Sequence, residues 1–157
     1  MFSILAKQMA FIWHNWSRPF VNRLRRAFRD ENYTHCHIAV AWCRTSGLDL
    51  LQDEILEFLD RGDTHLHIVV GIDGHGQRRI TSREALQRLI SYRVRSEDRV
   101  HISVFHIPER NDTIFHPKTY VFRGEQQGLL LTTSNNFTRR GMTRNIDSGV
   151  LIQGPVD

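Results

Sequence analysis

Cysteine is scarce in this chain, and its scarcity excludes two classes of protein at once. Only Cys36 and Cys43 occur in 157 residues. If both lay on one strand, their odd spacing would set them on opposite faces and about 23 Å apart, beyond the reach of a disulfide. No CxxC or cysteine–histidine spacing resembles a structural zinc site. A disulfide scaffold and a zinc ribbon are therefore set aside, and a reducing cytoplasm is the expected compartment. A membrane span is lacking too. The opening stretch MFSILAKQMAFIWHNWSRPF is apolar, but Lys7 interrupts it and no small-residue cleavage site follows. It is also too short to cross a bilayer. The glycine-rich GIDGHGQRR has no GK[ST] after it and so is not a P-loop. No cluster of carboxylates is spaced to hold magnesium, so neither a metal nor another cofactor is expected.

What is present fits one domain with a continuous core, since 40% of the residues are hydrophobic. The net charge of +4 comes mainly from arginine, whose planar fork suits phosphate, which favours a polyanionic partner. Leu5, Met9, Ile12, Trp13, Trp16 and Phe20 recur at three- and four-residue spacing, the pattern of an amphipathic helix. Residues 1–32 are accordingly expected to form an N-terminal helical segment that packs on its own domain or docks a second subunit or another protein. Arg23, Arg25, Arg26 and Arg29 give the end of that segment a basic face, of the kind usually solvated.

Residues 33–157 carry an α/β pattern. THCHIAVAW and THLHIVVGI, starting at Thr34 and Thr64, look like two versions of one strand. Between them Leu48, Leu51, Ile55, Phe58 and Leu59 make a helical stripe, with Gly62 placed as its cap. A βαβ unit with parallel strands and a right-handed crossover follows. The paired His35/His37 and His65/His67 mark strand starts, opposite the end where such sheets place ligands, and are read as structural. GIDGHGQRR leaves the second strand on the ligand side, where His75, Arg78 and Arg79 either line a cleft or form a plain turn. The next helix begins with a capping-box pattern, Thr81 to Glu84, and Val100 opens the strand after it.

The segment FHPKTYVF then places His116 and Lys118 two residues apart at the start of a strand. Side chains so spaced share a face, with Cα atoms roughly 7 Å apart, so both could touch one phosphate. A polar turn, RGEQQG, leads to the strand LLLTT, the turn SNNFTRRGM and the strand NIDSGVLI. An HxK followed by a serine–asparagine turn and then an acidic residue, in this strand–turn–strand setting, resembles the phospholipase D superfamily. SNNFTRRG is similar to the SANLTRRG of its nuclease and restriction-endonuclease branch, as is VVGIDGHG, and the resemblance covers residues from about 33 to 152.

The resemblance implies a largely parallel mixed sheet flanked by helices on both faces. It makes His116 the nucleophile, with Lys118 and Asn136 holding the nonbridging oxygens of the scissile phosphate and Ser134 adding a hydroxyl donor. Asp147 falls where the family carries the carboxylate that orients the histidine. Arg139 and Arg140, after the turn, either contact the nucleic-acid backbone or are ordinary surface charge. Arg123 and Thr133 stand where the fuller motif has aspartate and glycine; the first departure argues against the lipid-hydrolysing branch. The family mechanism uses two HxK histidines and this chain has one. A homodimer with a composite site is therefore expected. The function implied is a metal-independent phosphodiesterase, a nuclease with DNA favoured, acting through a phosphohistidine. By analogy it could be the effector of a genome-defence system beside a motor ATPase or helicase. The alternatives are a noncatalytic nucleic-acid-binding domain and a phospholipase or phosphatidyl transferase. Were the protein monomeric, His75 and His106 would be the first candidates for a second proton donor.

Overall fold

The alternation in THCHIAVAW and THLHIVVGI sends Cys36, Ile38 and Val40 to one face and Leu66, Ile68 and Val70 to the same face of the neighbouring strand, and all six are buried. These strands are β2 (His35–Val40) and β3 (His65–Gly71) in a computed structural model that describes residues 8–72, 81–107 and 115–156. Seven strands form one sheet in the order β1-β7-β6-β5-β2-β3-β4. The others are β1 (Gln8–His14), β4 (Val100–Phe105), β5 (Lys118–Arg123), β6 (Gln127–Thr133) and β7 (Asp147–Pro155). The β2–β3 and β3–β4 pairs are parallel, whereas β2–β5, β5–β6, β6–β7 and β1–β7 are antiparallel. The sheet is thus mixed but mostly antiparallel: a tight turn joins β5 to β6, and the longer 134–146 connection carrying α5 returns the chain as β7 antiparallel to β6.

The helices are α1 (Val21–Arg29), α2 (Thr45–Leu48), α3 (Gln52–Asp60), α4 (Arg83–Arg95) and α5 (Arg139–Thr143). The described helices cover one face, not both. Right-handed crossovers from β2 to β3 and from β3 to β4 step in the same direction along the sheet, so their helices fall on the same side. On that side Phe28 of α1 meets Phe58 of α3 and Phe122 of β5 at ring distances of 5.6 and 5.0 Å. The opposite face carries rows of histidine on β2, β3 and β4: His35 stacks on His65 at 5.0 Å, and His67 lies between His37 and His101.

The expected N-terminal helix is instead a strand over Gln8–His14. Met9, Phe11 and Trp13 alternate outward, while Ile12 and His14 turn inward and are buried. Aromatic and β-branched side chains suit this half-covered edge position, and pairing with β7 gives the backbone partners that local helix formation would otherwise supply. On the basic face of α1, Arg25 and Arg29, with side chains 38% and 60% exposed, both pair with the buried carboxylate of Glu54 on α3, at 3.3 and 2.8 Å.

The crossover elements match their sequence signals closely. The stripe from Leu48 to Leu59 is buried across α2 and α3, and Gly62 adopts φ 88°, the left-handed conformation that glycine tolerates best. The cap of α4 lies one residue later than expected. Ser82 Oγ accepts from the Ala85 N–H at 3.2 Å, and Thr81 is buried beneath it. There the Thr81 hydroxyl donates to the Gly71 carbonyl at 2.6 Å and accepts from the Cys43 N–H at 3.0 Å, tying together the ends of β2 and β3. Cys36 and Cys43 are free thiols, both pushed up by burial, Cys43 to about 12. Among the described residues no helix is long and apolar enough to cross a membrane.

Candidate active site

Two loops meet where β2 ends and β6 runs out. The Phe137 N–H donates to the Trp42 carbonyl at 3.0 Å, and the Arg44 N–H donates back to the Phe137 carbonyl at 3.0 Å. Phe137 itself is fully buried and packs near Tyr120. Gly47 of α2 sits so close that a Cβ would collide with the Phe137 carbonyl oxygen. This zipper fixes the turn carrying Ser134, Asn135 and Asn136 against the loop carrying Trp42 and Arg44. From the other direction, the Ala41 N–H donates to the Pro117 carbonyl at 2.9 Å, holding the HPK segment against the end of β2.

Lys118 begins β5 and faces the helix-covered side of the sheet, almost fully buried. Its ammonium lies 2.7 Å from His116 Nδ1 and 2.9 Å from Nε2, and 3.1 Å from the His116 carbonyl oxygen. The spacing of two thus brings both side chains to one place. Burial, and then the Lys118 charge, hold the His116 imidazole below its ordinary value, which favours the neutral ring. Burial likewise lowers Lys118, while the carboxylate of Asp147 acts the other way and helps keep the ammonium charged.

Asp147 opens β7 and is held by the serine–asparagine turn. The Ser134 hydroxyl donates to one carboxylate oxygen. With the Asn135 amide turned so that its nitrogen meets acceptors, that nitrogen donates to the other oxygen at 2.6 Å and also to the Gly141 carbonyl. Tyr120, buried below, donates its hydroxyl to the Asn135 carbonyl at 3.1 Å. Ser134, Asp147 and Lys118 are therefore one electrostatic group with His116 at its rim. Among the described residues, the hydrogen-bond partners of Asp147 are Ser134 and Asn135 rather than His116. Asn136 has a buried side-chain oxygen with no hydrogen-bond partner among the described residues.

The doubled asparagine in SNN hides Asn135 beside the expected Asn136; only the buried geometry separates a tie from a ligand. Trp42 carries no signal of its own in the sequence, where it ends a strand pattern, yet its indole meets the His116 ring at 5.8 Å, nearly perpendicular. His14 falls in the segment whose spacing suggests a helix. It pairs in register with Asp147, is buried with both ring nitrogens lacking partners among the described residues, and is lowered to about 4 by burial and then by Arg23, opposed by Asp147.

Beside this group opens a cleft of about 1060 Å³ between the Trp42–Ser46 loop and α5. Arg139 and Arg140 are the first two residues of α5 and line it, as do Arg44 and Arg144. His75, Arg78 and Arg79 lie outside the described residues. His106 is described, one residue beyond the end of β4. Among the described residues no three or more histidine, cysteine, aspartate or glutamate side chains are grouped to hold a metal ion.

No family model matches the sequence, and no curated protein matches it. Solved structures do. Phosphatidylserine synthase from Haemophilus influenzae Rd KW20 superposes with a TM-score of 0.69 at 16% identity, over 95% of this chain and 35% of that one. NucT from Helicobacter pylori gives 0.63 at 12% identity, over 93% of this chain and 85% of that one. Nuc from Salmonella typhimurium, a phospholipase D family member, gives 0.58 at 18% identity, over 94% and 84%. The chain thus spans about a third of the synthase and most of either Nuc or NucT.

Proposed function

We propose that this chain, which has the phospholipase D fold, is a phosphodiesterase that cleaves nucleic acid by attack of His116 on phosphorus. The observation that carries the reading is the Lys118 ammonium 2.7 Å from the His116 ring, with Asp147 fixed behind it by the turn that also holds Asn136.

A neutral imidazole presents a lone pair, and the site keeps His116 neutral by burial and by the adjacent positive charge. As the histidine–phosphorus bond forms, the phosphorus–oxygen bond to the leaving strand breaks. Lys118 and the Asn136 amide donate to the nonbridging oxygens, where negative charge grows. The two equivalent histidines share one proton, so that one ring is the neutral nucleophile while His116 of the partner subunit is protonated and gives its proton to the departing oxygen. Water then attacks the phosphohistidine, giving its proton to that second histidine and releasing His116. Ser134 and Asp147 act together, the hydroxyl holding the carboxylate where it sustains the charge on Lys118. No step requires a metal, and DNA is the favoured substrate.

The reading is tested by incubating the protein in EDTA with plasmid and single-stranded DNA, beside vesicles of a phospholipid. Cleavage of DNA by the natural chain and none by His116→Ala is expected. Headgroup release without DNA cleavage would transfer the site to lipid chemistry, and activity that Mg²⁺ alone restores would overturn the histidine mechanism.

A further inference from the structure

Seven arginines elsewhere among the described residues are tied down. Arg25 and Arg29 pair with Glu54, Arg88 with Asp49, Arg93 with Asp98 and Arg95 with Asp60. Arg61 and Arg99 donate to backbone carbonyls. Arg44, Arg139, Arg140 and Arg144 have no carboxylate partner among the described residues, which is also true of Arg18, Arg23, Arg26, Arg83 and Arg123, but these four alone gather around one cleft, the one that Trp42 joins to His116. They stand on two walls. Arg44 comes from the loop after β2, whereas the other three come from α5 and the residue that ends it. Trp42 lines the same cleft and meets the His116 ring, and Ile146, 76% exposed, lines it on the α5 side.

We infer that this cleft binds a single strand of nucleic acid, its phosphates running between the two arginine walls and a base stacking on Trp42 next to the scissile bond. The inference rests on the proposed nuclease reading and names the form of its substrate. Like charges gathered around one cleft repel, and a polyanion bound there removes that cost. An indole stacks on the face of a base, and in a duplex both faces are already covered by neighbouring pairs. A strand with its bases free can offer phosphates to both walls and a base to the tryptophan together. A bare phosphate ligand would leave Trp42 and Ile146 without a use.

The test measures binding by His116→Asn protein, so that nothing is cut, of a labelled single-stranded oligonucleotide, the matching duplex, and vesicles containing phosphatidylserine. Single strands are expected to bind at least about tenfold more tightly than duplex. Trp42→Ala should weaken single-strand binding by about 5- to 150-fold with its salt dependence unchanged, while Trp42→Phe, which keeps a stacking surface, restores most of it. Replacing Arg44 and Arg144 by glutamine should lower the salt slope by about 0.7 for each phosphate no longer neutralised. Equal affinity for duplex, preference for vesicles, or an unaltered affinity in Trp42→Ala would overturn the inference. Cleavage separates it from the broader reading. If His116→Ala abolishes cutting of both DNA forms while the cleft variants bind and cut normally, the nuclease reading stands and the single-strand site falls. If the cleft variants lose single-strand binding but His116→Ala still cuts, the reverse holds.

Discussion

At the scale of single residues, the site joins the Lys118 charge to the proposed nucleophile, His116, at contact distance. Lys118 is one of only two lysines in the chain, against a background of arginine. A compact ammonium fits the narrow space beside an imidazole where a planar guanidinium would not. Replacing it by methionine should keep the packing but lower turnover by about 10²- to 10³-fold, the usual cost of losing one preorganised donor to a transition-state oxygen. Its companion is a pH effect. Because His116 is lowered in the folded protein, its neutral form persists below the ordinary histidine value of 6.5. The acid limb of kcat/KM assigned to the nucleophile should therefore inflect below that value, and a limb centred above it would contradict the assignment.

HxK spacing makes His116 and Lys118 legible in the sequence because two residues in a strand return a side chain to the same face. Asn135 is not legible there. Its neighbour has the same chemistry, and only the fold shows that one amide is buried against Asp147 while the other has its oxygen buried without a partner.

At the scale of elements, β1 is the informative departure. Its apolar residues satisfy a three- and four-residue template as well as an alternating one, and local sequence does not choose between them. The choice is made by β7, a long-range partner. Ile12 faces the core at 4% exposure while Phe11 and Trp13 are 63% and 64% exposed. Ile12→Ala should cost about 2–5 kcal/mol, as for other buried aliphatic truncations, whereas Phe11→Thr should stay within about 1 kcal/mol. Urea denaturation checks the strand assignment once Trp13→Thr is added, which a strand with Trp13 64% exposed tolerates within about 1 kcal/mol and a helix burying Met9, Ile12, Trp13 and Trp16 would not. The α4 cap gives a smaller test: Ser82→Ala should cost about 1 kcal/mol, and Thr81→Ala should cost more, since it strands the Gly71 carbonyl and the Cys43 N–H together.

At the scale of the whole molecule, the chain carries histidines whose protonation opposes folding. His14, His35 and His37 are all lowered, first by burial, then by Arg23 for His14 and by neighbouring histidines for the other two. Above 6.5 they are neutral in both states and cost nothing. As pH falls below 6.5 the unfolded chain takes up protons that the folded chain resists, so stability is lost, and for His14 the loss continues to about 4. His14→Phe should flatten the acid side of a stability profile, while the histidines of the open face remain as a smaller slope. The proposed shared site makes a second claim at this scale. In mixed dimers of natural and His116→Ala chains, activity should fall as the square of the natural fraction, about a quarter remaining at equal mixing, because random pairing leaves that share of dimers intact. A straight-line loss would place a complete site in each chain.

The pairing of β1 with β7 joins Gln8 to Gln153. In biosynthesis the chain leaves the ribosome from its N-terminus, so β1 emerges long before the strand that completes it. Throughout that interval Met9, Phe11, Ile12 and Trp13 lie on a strand without a neighbour, a segment of the kind that chaperones bind and that seeds aggregation. The closing of the sheet is thus a late, non-local step with a slow rate set by topology. A ribosome stalled before β7 would hold a nascent chain whose β2–β3 unit can already be formed but whose first strand is still exposed to whatever factor guards it.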